Sequence, residues 1–141
     1  MIAGNQGIFI NDGRSSIRLT RNGPANELGY PTVIDVRAGP FQGAVLDNLL
    51  DYGDFRAQLI ELDAGLQGVA KLGSYEGNEL EIIGNGTGGI EARVKVIGEH
   101  VPLIELKFKI YIDQSYLPAI IEQIGIEFPA PYRAVPTPRP G

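Results

Sequence analysis

The strongest constraint in this chain is a period-two alternation of side chains, held through two long stretches. Ile90, Ala92, Val94 and Val96 alternate with Glu91, Arg93 and Lys95. Ile104, Leu106, Phe108, Ile110 and Ile112 alternate with Glu105, Lys107, Lys109 and Tyr111. Successive side chains of an extended strand point to opposite faces, so each stretch predicts a strand with one face on a core and one in water. Burial on one side only is the habit of antiparallel sheets. A tight turn at Glu99-His100-Val101 would pair Glu91 with Lys109 and Lys95 with Glu105, setting opposite charges against each other across the strands.

Shorter strands are predicted at Gly7–Ile10 and Ser16–Thr20, around the turn sequence Asn11-Asp12-Gly13. Others follow at Thr32–Arg37 and Phe41–Leu50, split by Gly39-Pro40, and at Val69–Tyr75 and Glu79–Ile83. Two segments switch to a helical period. Phe55, Leu59, Leu62 and Leu66 fall on one helix face within Asp51–Gln67, with Asp51 as the expected cap and Gly68 as the expected stop. Leu117, Ile120, Ile121, Ile124 and Phe128 mark a second helix, with Ser115 expected to cap it and Pro129 to end it. Strand–helix–strand units do not repeat, so a doubly wound parallel sheet is not expected. The prediction is an α+β fold, an antiparallel sheet of about 7–8 short strands with two amphipathic helices, spanning residues 1–128 as a single domain. Five of the ten prolines fall at Pro129, Pro131, Pro136, Pro138 and Pro140, so residues 129–141 are expected to form an extended proline-rich tail.

The residue inventory narrows function mainly by exclusion. There is no cysteine, which removes disulfides, a thiol nucleophile and thiolate metal sites. The only histidine, His100, sits in the predicted hairpin turn, about a strand's length from Asp113 and Ser115, so no triad can assemble. The glycine-rich Gly84–Gly89 lacks the Lys and Ser/Thr of a phosphate loop and leads into a strand. No catalytic residue, metal ligand set or cofactor site is expected. A net charge of −5 argues against nucleic acid and against an anionic membrane surface. The first residues carry no basic segment followed by an apolar run, so the expected location is cytoplasmic.

Charge is unevenly spread. Between Asp47 and Glu81 stand eight carboxylates (Asp47, Asp51, Asp54, Glu61, Asp63, Glu76, Glu79 and Glu81) against only Arg56 and Lys71. Calcium-loop spacing is absent, and Glu79 and Glu81 share one strand face rather than flanking a cleft as a glycosidase pair would. Two readings remain: an ordinary solvated acidic face, or a surface for a basic protein partner. On the second reading the contacts are Asp51, Asp54, Glu61 and Glu76, with Tyr52 and Tyr75 as aromatic anchors.

Several short motifs carry a family resemblance across about residues 31–128. They are Phe41-Gln42-Gly43, Phe55 with Leu59, Gly68-Val69-Ala70, Gly89-Ile90 and Asp113-Gln114-Ser115-Tyr116-Leu117. In this order the chain resembles the WapI-type bacterial immunity family, although it lacks the tryptophan that such proteins often carry before the first helix. The resemblance implies a non-enzymatic protein that blocks a toxin; read with the charge distribution, its acidic segment would meet a basic toxin domain. The alternative is a structural or self-assembling subunit, a homo-oligomer that uses the proline-rich tail or a sheet edge.

Overall fold

The computed structural model describes residues 6–129. Eight strands and two helices follow one another: β1 (Ile8–Asn11), β2 (Ser15–Arg21), β3 (Tyr30–Ala38), β4 (Phe41–Leu49), α1 (Tyr52–Gly65), β5 (Gln67–Gly73), β6 (Glu79–Asn85), β7 (Gly89–His100), β8 (Leu103–Asp113) and α2 (Leu117–Glu127), the last preceded by a single 3-10 turn at Gln114–Tyr116. The α+β class and the antiparallel pairing are as the alternation predicts. The strands divide into two four-stranded meanders, in the orders β1-β2-β3-β4 and β5-β6-β7-β8. The proline-rich tail lies outside the described residues from position 130 onward.

The two sheets bury one face each in a shared core. Ile17, Leu19 and Ile34 of the first sheet approach Leu72, Leu80 and Val96 of the second. Phe55, Leu59 and Leu62 of α1 and Leu117, Ile120 and Ile124 of α2 complete that core. α1 packs on β5 and α2, and α2 also reaches β1. Such burial is the main term holding the fold together, at about 25 cal/mol per Å² of apolar surface.

The β7–β8 register differs from the predicted one by two positions. The strands run on to His100 opposite Leu103, so Val101 and Pro102 form the turn, and a bulge between Ile97 and Glu99 takes up one extra residue. A shift of two keeps every side chain on its face but changes its partner. Arg93 now stands opposite Lys109, and Lys95 opposite Lys107. The charges are balanced from elsewhere: Glu81 and Glu79 of β6 pair with Arg93 and Lys95, and Lys109 lies 3.9 Å from Glu91. The alternation also overstates burial along β8. Ile110 is buried, Leu106 and Phe108 are half-buried, and Ile104 is exposed, because the far end of the hairpin projects beyond the core.

Of the four proposed helix boundaries, Asp51 and Pro129 keep their places at the start of α1 and the end of α2, whereas the stop at Gly68 and the cap at Ser115 move. Asp51 precedes α1 in a left-handed conformation, and its carboxylate makes no cap bond. Leu66, not Gly68, takes the left-handed position that closes α1, donating its N–H to the Leu62 carbonyl, while Gly68 belongs to β5. Asp113, not Ser115, is the side-chain cap ahead of α2: its Oδ1 accepts from the Ser115 N–H at 2.8 Å. The 3-10 turn places that cap earlier than a simple helix start would.

Candidate functional site

The acidic run does not form one surface. Asp47 is taken up internally, its Oδ2 accepting from the Asn78 side chain at 2.7 Å. Asp63 accepts from Gln114 at 3.3 Å. Glu79 and Glu81 lie on the outer face of β6 among Lys71, Arg93 and Lys95. On that face Glu91 is held below the usual carboxylate range, chiefly by the hydrogen bond from Arg93 and further by Lys109. Among the described residues, Asp51, Asp54 and Glu61 have no ion-pair partner.

These three are placed by α1. Asp51 is exposed at its start, where its backbone carbonyl accepts from the Phe55 N–H at 2.9 Å. An aspartate tolerates the left-handed conformation there better than most residues. Asp54 is exposed in the first turn, beside the positive end of the helix dipole. Glu61 lies seven residues later, two turns along the same flank, exposed and away from the buried Phe55–Leu59–Leu62 stripe.

A further carboxylate, missed in the sequence reading, joins them. The loop Asn26–Gly29 closes on itself through two backbone hydrogen bonds and is tied to β4 by the Asn26 side chain, which donates to the Asn48 side chain at 3.2 Å. Gly29 makes this approach possible: a Cβ there would come within 2.1 Å of the Leu49 carbonyl oxygen. The loop and the start of α1 enclose a cleft of about 320 Å³, lined by Glu27, Asp51 and Asp54 along with Tyr30 and Leu49. Three carboxylates thus line one recess, and among the described residues none of them forms an ion pair. Only the loop's closure on the helix, invisible in sequence distance, brings Glu27 to this position.

Tyr52 does not belong to the exposed surface. It is buried, stacked on Phe128 with ring centres 3.9 Å apart, with Tyr30 edge-on to both rings. The Thr32 hydroxyl donates to the Tyr30 carbonyl, so in the 3.1 Å contact between Thr32 and Tyr52 the tyrosine is the donor. Burial pushes the Tyr52 phenol far above its ordinary value, and the charge of Glu127 adds to the effect. Tyr52 therefore fastens α1 to β3 and to the end of α2. Glu127 is buried in the same region and accepts from the Arg21 N–H at 3.2 Å and from Gln123 at 3.3 Å.

Tyr75 and Glu76 occupy the β5–β6 turn, separate from the cleft. Tyr75 is 78% exposed, and Glu76 lies 3.0 Å from Nε2 of His100. The buried Asn78 holds this turn in place. Besides donating to Asp47, its Oδ1 accepts from the Ile97 N–H at 2.8 Å, so one side chain joins β4, the turn and β7. His100 and Asp113 lie at opposite ends of the β7–β8 hairpin. Among the described residues no group of three histidine or acidic side chains could hold a metal ion, and no helix is long and apolar enough to cross a membrane.

A family model described as the immunity protein WapI-like family matches residues 26–128. No curated protein matches the chain, and no solved structure matches it. The matched span contains the whole cleft and both exposed acidic elements.

Proposed function

The chain belongs to the WapI-like immunity protein family, and on that premise we propose that it is a non-enzymatic protein that binds and blocks a toxin domain carrying a basic surface. The observation that supports a basic partner is the cleft with Glu27, Asp51 and Asp54 on its walls, none of them in an ion pair among the described residues. Glu61 extends the negative flank along α1. An interface of ordinary size covers about 1,600 Å² in total, which reaches well beyond a cleft of this volume. The exposed Tyr75, beside Glu76, is an aromatic side chain available to a second part of that contact. Tyr52 supports the surface from beneath and touches no partner.

The test is electrostatic. The partner is first captured from the native cell, and its association with the purified protein is followed at several salt concentrations. Rim charges act mainly on association, so the on-rate should fall steeply with salt while dissociation changes little. Reversing Asp54 and Glu61 together (Asp54→Lys, Glu61→Lys) should slow association by about tenfold or more at low salt. Capture of an acidic partner, or an on-rate unmoved by the double reversal, would remove the support for this reading.

A further inference from the structure

Four strands lie at sheet edges in this fold: β1, β4, β5 and β8. An edge presents unpaired backbone donors and acceptors, and proteins usually blunt it with shortness, charge, proline, a bulge or a covering element. Three of the edges are blunted in these ways. β1 has only four residues. β5 carries Lys71 and packs against α1. β8 carries Glu105, Lys107, Lys109 and Asp113, and lies near β1 and β2.

Among the described residues, β4 has none of these protections from Phe41 to Leu46; its C-terminal end is tied to the second sheet, through Asp47 to Asn78 and through the Leu50 N–H to the Gly73 carbonyl. It is nine residues long, contains no proline and pairs with β3 without a bulge from Leu49 to Phe41. Its one charged residue, Asp47, is held by Asn78. The run Phe41-Gln42-Gly43-Ala44-Val45-Leu46 is uncharged, with Phe41 64% and Leu46 63% exposed. Gly43 sits within this run, and the fold gives no reason for a glycine there. Its φ is not positive, and an added Cβ would meet nothing within 4 Å. Glycine weakens a strand interior, and its usual use there is to let another backbone come close.

We propose that the β4 edge is a docking surface for a second copy of this chain, two β4 strands pairing antiparallel about a twofold axis at Gly43. A twofold contact brings one patch against itself, so it must avoid facing like charges. In this register Phe41 opposes Val45 of the second copy, Gln42 opposes Ala44, and Asp47 falls beyond the uncharged overlap. Side chains keep their faces, because a twofold axis normal to a sheet preserves them. The two first sheets then join into one of eight strands. The acidic cleft begins past the C-terminal end of the overlap, so this pairing does not depend on the toxin-binding reading.

In this register the strand residues that overlap are Phe41–Val45, about 17 Å of edge, so the contact falls at the small end of interfaces and the dimer should be weak and depend on concentration. The test uses the full-length protein, followed by light scattering over about a hundredfold range of concentration, since mass action sets the balance of monomer and dimer. The apparent mass should rise from 15.2 kDa toward twice that value, and the amides of residues 42–46 should gain exchange protection in parallel. Gly43→Lys puts a charge on the axis without meeting anything in its own fold, and Leu46→Lys charges the edge independently. Each should hold the protein at monomer mass with an unchanged circular dichroism spectrum, whereas the Asp54→Lys, Glu61→Lys protein should dimerise like the wild type. A wild-type mass fixed at 15.2 kDa would overturn the proposal. So would dimers that persist in both lysine variants, or amides 42–46 protected in a monomer, which would show another segment of the chain on the edge.

Discussion

Tyr52 allows the sharpest test of the architecture, because an exposed anchor and a buried fastening respond oppositely to the same two substitutions. The ring is 3% exposed and parallel to Phe128, and its hydroxyl donates to Thr32. Tyr52→Ala removes a fully packed aromatic ring and should cost about 3–5 kcal/mol, a large part of the ~5–15 kcal/mol that holds a domain folded. Tyr52→Phe keeps the ring and the stack. Thr32 still donates to the Tyr30 carbonyl, so only one neutral hydrogen bond is lost, for about 1 kcal/mol. Urea melts followed by circular dichroism give both numbers. The buried phenol adds a second signature. Its folded pKa is raised, so above the unfolded value of about 10 the unfolded state releases a proton that the folded state keeps, and stability falls as pH rises. Phenylalanine has no such proton. The wild type should therefore be the more stable protein at neutral pH, and its advantage should vanish near pH ~10.6, where the unfolded-state ionisation offsets about 1 kcal/mol. Tyr52→Ala melting like the wild type, or a Tyr52→Phe difference that stays constant to pH ~11, would show that the phenol is solvated and the packing wrong.

Asp54→Lys with Glu61→Lys should cost about 1 kcal/mol in the same melts, chiefly because Asp54 lies beside the positive end of the helix dipole, and should leave the protein folded even as it slows partner association. Ile110→Ala, at a fully buried position of β8, should cost about 2–5 kcal/mol, while Lys107→Ala, on the opposite face, should cost under about 0.5; equal losses would refute the facing of that strand. Gly84→Ala should destabilise by about 1–3 kcal/mol, because the new Cβ would lie 2.6 Å from Leu62 Cδ1 and 2.7 Å from the Leu66 carbonyl oxygen, and a thermal melt no lower than wild type would show that this helix–strand approach is looser than described.

What was legible in the sequence was what is local and periodic. Alternation located β7 and β8, and the helical period located both helices, because burial on one face imposes those repeats directly. Register was less legible. Opposite charges suggested one pairing of β7 with β8, but the pairing also answers to β6, whose Glu79 and Glu81 meet Lys95 and Arg93, and to the bulge between Ile97 and Glu99. A two-strand argument cannot weigh a third strand. The helix caps failed similarly: Asp51 and Ser115 had suitable side chains, but the chain enters α1 through a left-handed residue and α2 through a 3-10 turn.

The candidate site was legible only as composition, because charge along the sequence says nothing of which carboxylates are already used. Asp47 bonds Asn78 and Asp63 bonds Gln114, while Glu79 and Glu81 sit among cations. Glu27, outside the acidic run, joins Asp51 and Asp54 through the closure of the Asn26–Gly29 loop. The motifs behind the family resemblance have the opposite character. Phe55 and Leu59 are core, Gly68-Val69-Ala70 and Gly89-Ile90 are strand, and Asp113 to Leu117 form the capped turn into α2. Residues of that kind maintain a scaffold and are blind to the partner. On the proposed reading, contact with a toxin would fall instead on exposed positions such as Glu27, Asp54, Glu61 and Tyr75. Phe41-Gln42-Gly43 is the exception among the motifs: it is exposed and lies on the unprotected edge, where neither core packing nor backbone conformation calls for it. At β4 the uncharged run can face itself across a twofold axis without opposing like charges, so a second copy is a partner that leaves few charges to desolvate.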